Sequence, residues 1–183
     1  MSNYRRARMP GGTYFFTVVT YKRKPLLVDH AARKALRDAI CEVRTDRPFK
    51  IDAFCLLPDH LHTIWTLPKG DSNYSQRWSA LKARFSRQYI TTVGGSANPV
   101  GSRLVRGEAT IWHRRFWEHL IVDEDDLQRH MDYIHFNPVK HGHTKTVVEW
   151  PWSSFHRYVW EGVYPHDWGG TTQAGLSLVS AGE

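Results

Sequence analysis

Apolar residues recur along this chain at two periods, and the switches between them mark its elements. Thr13–Thr20 (TYFFTVVT) is β-branched and aromatic, follows Gly11-Gly12, and reads as a strand. Asp29–Asp46 carries Ala32, Leu36, Ile40 and Val43 at helical spacing, with Asp29 in place as the N-cap. Phe49–Leu57 alternates Phe49, Ile51, Ala53, Cys55 and Leu57 onto one face, as a half-buried strand does. Pro58-Asp59 is a turn signal, so His60–Leu67 becomes the return strand of a hairpin. Ser75–Tyr89 reads as a helix with Trp78, Leu81, Phe85 and Tyr89 in one stripe and Arg77, Lys82, Arg84 and Arg87 off it. Val93–Gly107 is rich in Gly, Ser and Pro and reads as a loop. Arg115–Asp123 is the fourth strand candidate. Asp123–Asn137 opens with acids, which suit a helix N-terminus, and is expected to stop before Pro138 because proline disfavours helix at the residue preceding it. Ser153–Trp160 reads as a short helix, and no period is legible from Gly162 onward.

The order is therefore β-α-β-β-α-β followed by a further helix. That is the pattern of the α+β, ferredoxin-like sandwich, with an additional C-terminal helix. In that sandwich the third strand is central, so His60–Leu67 is expected mid-sheet. A length of 183 residues suits one domain; the pattern places it in residues 1–161, with 162–183 a loosely structured tail. This fold hosts many functions, so it names none.

Charge narrows the choice. The chain carries a formal +7, with eight each of Trp, Tyr and Phe, and a basic, aromatic surface suits nucleic acid: cations take phosphates and flat rings stack on unpaired bases. Between Arg77 and Arg115 eight Lys or Arg (Arg77, Lys82, Arg84, Arg87, Arg103, Arg106, Arg114, Arg115) face one acid, Glu108. Arg5, Arg6 and Arg8 form a second cluster. Lys82, Arg84, Arg87, Arg114 and Arg115, with the N-terminal arginines, are the candidate phosphate contacts, the plainer alternative being a solvated face. Trp112, Phe116 and Trp117 interleave with Arg114 and Arg115; core packing is the expected use of Phe116. The two cysteines, Cys41 and Cys55, form no metal-type cluster and fit a reducing cytoplasm. Met1–Arg8 has no apolar h-region, and no apolar run is long enough to span a bilayer. A cytoplasmic location is expected, at the nucleoid if the partner is DNA.

His60 and His62 lie two apart on a strand, so both point to one face and Leu61 to the other. Two such imidazoles can hold one divalent metal, and with eleven histidines in the chain the pair can also arise by chance. His141-Gly142-His143 is a second pair of the same spacing, in an expected loop. On Asp123–Asn137 the apolar stripe is Leu127, Met131 and Ile134, and Asp126, His130, Tyr133 and Asn137 form a second stripe about a quarter turn away. Tyr133 and Asn137 are neighbours one turn apart. This helix offers the further ligands and the nucleophile or base that a metal reaction needs, with His130 and His135 as alternatives for a third ligand. Spacing alone also allows Zn²⁺.

The stretches LLPDHLHTIWTLP, RFWEH, DYIHFNPVKHG and the opening YRR with GGTYFFTV resemble the REP-associated tyrosine transposases, bacterial relatives of the single-tyrosine HUH transposases, from about Asn3 to Trp168. The resemblance implies that His60, His62 and Asn137 hold one Mg²⁺ or Mn²⁺ and that Tyr133 is the nucleophile. It implies transesterification on single-stranded DNA at repetitive extragenic palindromic hairpins, leaving a 5′-phosphotyrosine and a free 3′-OH. A tyrosine, with an ordinary pKa of about 10, needs help to attack. Related transposases often carry Gln at the third ligand position, where this chain has the shorter Asn137. A monomer and a dimer are both compatible with the resemblance. Two other readings fit parts of the pattern. One is a metal-dependent nuclease that hydrolyses with water. The other is a non-catalytic ferredoxin-like nucleic-acid-binding module, which expects exposed aromatics such as Tyr14 and Phe16 on a central strand.

Overall fold

Alternation along the strands decides which layer each residue meets. The structure, a computed structural model that describes residues 7–94 and 111–170, contains strands β1 (Thr13–Val19), β2 (Lys50–Leu56), β3 (His60–Thr66) and β4 (Trp117–Leu120). They form one antiparallel sheet in the order β2-β3-β1-β4, which puts β3 at its centre as expected. Helices α1 (His30–Asp46) and α2 (Tyr74–Val93) cover one face. Helix α3 (Glu124–Lys140) covers the other, and a short α4 (Phe155–Trp160) follows. The βαββαβ order of the ferredoxin-like sandwich is present, and α3 turns it into three layers.

The α1–α2 face buries Tyr14, Phe16 and Val18 of β1 with Leu61 and Trp65 of β3. Trp65 and Trp78 stack at 4.1 Å, and Phe49 lies 4.1 Å from Trp65 on its other side. Phe116 packs at the edge of this layer, against Phe16, Tyr74 and Trp78. The α3 face takes the alternate residues, Phe15 and Ile64 among them.

Strand β2 departs from the single face its alternation suggested. Its pairing with β3 shifts between Ile51 and Ala53, a bulge that gives Asp52 no opposite number. Phe49 and Ile51 consequently belong to the α1–α2 layer, whereas Ala53, Cys55 and Leu57 belong to the α3 layer. The carbonyl of Asp52 is taken up by the Tyr158 hydroxyl at 2.6 Å and by Arg157, so α4 secures the bulge. The outer edge of β2 is closed by residues 152–154: Leu56 N–H donates to Trp152 O and Ser154 N–H to Phe54 O.

Two helix ends differ from expectation. Asp29 stands at the N-cap of α1 but makes no capping bond; its carboxylate accepts from the Tyr89 hydroxyl on α2 instead. Helix α3 runs through Pro138 to Lys140. A proline in the last turn sacrifices only one intrahelical N–H bond, and the burial of Tyr133, Ile134 and Asn137 holds the residues before it helical. The fourth strand is shorter than the Arg115–Asp123 segment. After α4, Tyr164 is buried and donates to Asp132 Oδ1, and Trp168 packs against Phe155 and Tyr164. No helix among the described residues is long and apolar enough to cross a membrane.

Candidate active site

Strand β3 begins at the first histidine of the pair, and both rings turn toward α3. His60 and His62 are 2% and 0% exposed, and their rings meet edge to face with centroids 4.9 Å apart. Each is held through Nδ1. His60 Nδ1 faces Asp59 Oδ1 at 2.6 Å, and His62 Nδ1 faces Thr17 Oγ1 at 3.0 Å; Thr17 is the residue opposite His62 in the β1–β3 ladder. Holding one ring nitrogen orients the imidazole and presents the other as a ligand atom. Burial alone would raise the Asp59 carboxyl, but the hydrogen bond from His60 and the Arg23 guanidinium at 3.1 Å outweigh it and hold it down to about 2. Asp59 is thus a carboxylate that accepts from His60 Nδ1–H.

The Nε2 of His60 is buried with no hydrogen-bond partner among the described residues. Such an atom costs free energy until something satisfies it, and a divalent ion is what a buried imidazole lone pair can satisfy itself with. His62 Nε2 and Asn137 Oδ1 are buried as well. Two neutral imidazoles and an amide oxygen fit a divalent cation with positions left for substrate.

Tyr133 lies across from this pair, its ring 5.2 Å from His62 and 5.9 Å from Phe15. Tyr133 and Asn137 are both 0% exposed, one turn apart on α3. The histidine motif and the tyrosine therefore meet: β3 supplies imidazoles and α3 the phenol, with Asn137 buried one turn further on.

The structure brings two further groups to the site. Lys140 Nζ sits 4.9 Å from the centroid of the Tyr133 ring, and the His141 ring is 5.3 Å from that of His60. Both lie beyond the expected helix stop. Continued through Pro138, the helical period puts Lys140 two turns after Tyr133 on one face, which was the available signal. The second histidine pair is a helix terminus: Gly142 has φ +69°, the left-handed turn that ends helices, and His143 stacks on Trp150 at 5.5 Å.

The polar stripe of α3 divides. Asp126 and His130 turn to His119 of β4, and the ligating atoms of the three lie within 4.8 Å of one another. His119 Nε2 and Asp126 Oδ2 are 2.8 Å apart, and His130 Nδ1 is 3.1 Å from Asp126 Oδ1, so this trio already satisfies itself. Burial, then the charge of His119, lowers His130 below the usual histidine range against the hydrogen bond to the Asp126 carbonyl. His135 faces Ser154 Oγ at 2.9 Å among the rings of Phe155, Tyr158 and Tyr164. Both alternative third ligands are thus engaged with other partners.

Of the candidate phosphate contacts, Arg5 and Arg6 lie outside the described residues, as do Arg103 and Arg106. Arg8, Arg87, Arg114 and Arg115 are exposed. Lys82 donates to His113 O and lies over Phe116. Arg84 is paired with Glu42 and Asp46 of α1. Arg77 is 3% exposed and bonds Asp71 and the carbonyls of Arg47, Pro48 and Asn73, so it braces the α2 start rather than the surface. Tyr14 and Phe16 are 0% exposed beneath the helices, which removes the aromatic platform that a non-catalytic binding module needs.

Comparison with known proteins identifies the family. Residues 10–137 match the family described as IS200-like transposase. The chain is 45% identical over its full length, and 98% of the relative's, to a REP-associated tyrosine transposase of Escherichia coli K12. It is 47% identical over 93% of its length, and 94% of the relative's, to a protein of Haemophilus influenzae named as a putative REP-associated tyrosine transposase. A solved structure of a REP-associated tyrosine transposase bound to a REP hairpin superimposes with a TM-score of 0.79 at 43% identity, covering 100% of this chain and 98% of that one. The chain belongs to the IS200-like transposases and, within them, to the REP-associated tyrosine transposases.

Proposed function

We propose that this protein nicks and rejoins single-stranded DNA beside REP-type hairpins through a covalent 5′-phosphotyrosine at Tyr133. The observation that carries the reading is the meeting of Tyr133 with the histidine pair, 5.2 Å from His62 between ring centroids, in a buried polar cluster within an otherwise apolar layer. His60, His62 and Asn137 would hold one Mg²⁺ or Mn²⁺. When bound, that ion polarises a phosphate oxygen as a Lewis acid. Asp59 and Thr17 keep the two imidazoles oriented.

The Tyr133 oxygen attacks phosphorus, the bond from phosphorus to the 3′-oxygen breaks, and that oxygen takes a proton from solvent and leaves as a 3′-OH. The phenolic proton passes to solvent. The phosphodiester bond energy is kept in the tyrosyl ester, so rejoining by a 3′-OH needs no nucleotide cofactor. Lys140 over the phenol ring stabilises the negative charge of a phenolate. Because Tyr133 has no exposed surface, the reaction includes an opening step in which the groups over the phenol withdraw. Exposed Arg8, Arg87, Arg114 and Arg115 are suited to phosphate contact. A chromosomal substrate places the work at the nucleoid, in the cytoplasm.

The test is incubation of the protein with a single-stranded REP hairpin and Mn²⁺, followed by a denaturing gel. The expected products are a protein–DNA adduct on the 5′ phosphate and a fragment ending in 3′-OH. Early product with a free 5′ phosphate and no adduct would make water the nucleophile and sink the reading.

A further inference from the structure

A second concentration of positive charge lies away from the Arg77–Arg115 segment. A groove of about 1010 Å³ runs between α1, the outer edge of β2 and residues 151–157. Six Lys or Arg side chains line it and no Asp or Glu does. Arg33, Arg37 and Arg44 share one face of α1 and span roughly 16 Å along its axis.

What holds these cations matters more than their number. Arg33 donates to the Val28 carbonyl, Arg44 to the Phe49 carbonyl at 3.1 Å, and Arg157 to the Asp52 carbonyl. A carbonyl orients a guanidinium without cancelling its charge. Arg37 is exposed and makes no hydrogen bond or ion pair among the described residues. Lys34, Lys50 and Arg157 do have carboxylate partners, Asp38, Asp52 and Glu161. Arg84 on α2, by contrast, is met by two carboxylates. The groove also holds a flat ring: Trp152 is half-buried, with the Arg33 guanidinium 4.4 Å from its centroid. Phosphate-facing cations beside an aromatic platform are what single strands bind.

We propose that this groove binds single-stranded DNA, its phosphates along Arg33, Arg37 and Arg44 and an unpaired base against Trp152. The proposal deepens the strand-transfer reading and rests on it for the choice of DNA. Its position fits that use. Phe54 and Leu56, which line the groove, flank Cys55, the residue paired with His62. A strand held there lies along β2, the neighbour of the histidine strand in the sheet.

The experiment measures the affinity of a fluorescently labelled oligothymidine, longer than the groove, by anisotropy across a salt series. The variants are Arg37→Glu, Trp152→Ala and, as a charge-matched control off the groove, Lys69→Glu. Arg37→Glu is expected to weaken binding several-fold and to flatten the slope of log affinity against log salt by about 0.7 for one lost single-strand phosphate contact. Trp152→Ala is expected to weaken binding on the order of ten-fold with the salt slope unchanged. Lys69→Glu is expected to leave both near wild type. Because Trp152 also packs against Trp150, Arg37→Glu is the deciding variant and thermal melting accompanies each. Wild-type affinity and slope in Arg37→Glu, or an equal loss in Lys69→Glu, would overturn the proposal. Failure of the strand-transfer reading appears separately, as absence of the covalent adduct with wild-type protein.

Discussion

The two faces of the sheet are made from alternate residues of the same strands and are chemically opposite. Beneath α1 and α2, β1 and β3 present Tyr14, Phe16, Leu61 and Trp65, all within 1% of full burial and stacked ring on ring. Beneath α3 the same strands present Phe15, Thr17, His60, His62 and Ile64, and polar atoms meet polar atoms. A slip of one residue would exchange the two sets. The two faces therefore share one register: a one-residue slip that took Trp65 out of its stack would carry His60 and His62 off the α3 face as well.

The largest expected effect tests whether the polar face is chemical rather than structural. Tyr133→Phe removes one oxygen and keeps the ring, so adduct formation on the hairpin should fall below detection while hairpin affinity and melting temperature stay near wild type. A cleaving Tyr133→Phe protein would end the comparison, because both faces would then be packing. Trp65→Ala, on the opposite face, should reverse the outcome. Cavity formation at so large a buried ring costs about 3–5 kcal/mol, read by chemical denaturation, while adduct formation per folded molecule persists.

Within the polar face, removing an orienting partner should act through metal affinity. Asp59→Asn should raise the Mn²⁺ concentration for half-maximal cleavage by roughly 10–100-fold, the usual cost of losing such a partner. Asn137→Ala should shift the same titration, and an unmoved curve there would transfer the third ligand to another residue.

On the structural face, Asp71 supports buried Arg77. The side-chain hydrogen bond to Arg77, then the Asn73 N–H, lower the Asp71 carboxyl below its ordinary range. A depressed carboxyl contributes stability above its unfolded pKa of about 3.9 and loses it as pH falls through the lower folded value. Asp71→Asn should therefore melt earlier than wild type at pH 7 by less than Trp65→Ala does, with the gap closing below about pH 4. A gap that widened in acid would mean another group sets the dependence. The smallest effect belongs to Arg84→Ala, whose half-exposed partners Glu42 and Asp46 make a surface network worth about 0–1 kcal/mol.

Much of this site is local and was legible as such. His60 and His62 share a face because strands alternate, and Tyr133 and Asn137 adjoin because helices repeat. What escaped was whatever depended on an interruption of period. The bulge at Asp52 has no signature in a run that alternates cleanly from Phe49 to Leu57, and it shows only in the pairing, where Ile51 meets Trp65 and Ala53 meets Ile64. The passage of α3 through Pro138 runs against local preference and hid the places of Lys140 beside Tyr133 and of His141 beside His60. The basic groove was equally hidden: α1 mixes Arg33, Lys34, Arg37 and Arg44 with Asp38, Glu42 and Asp46, so no charge excess appears in one dimension.

By itself the sequence determined the strand and helix order, the histidine pair on one side of β3, the phenol and amide one turn apart, and the family those motifs resemble. Periodicity and motif spacing are properties of neighbouring residues, and short-range backbone geometry is enough to convert them into faces. Only the tertiary structure decided that α3 lies on the histidine face, that Thr17 and Asp59 hold the imidazoles, and which arginines keep their charge. Those outcomes depend on residues up to tens of positions apart, and on whether a cation meets a carboxylate or a carbonyl, which is settled only when the layers pack.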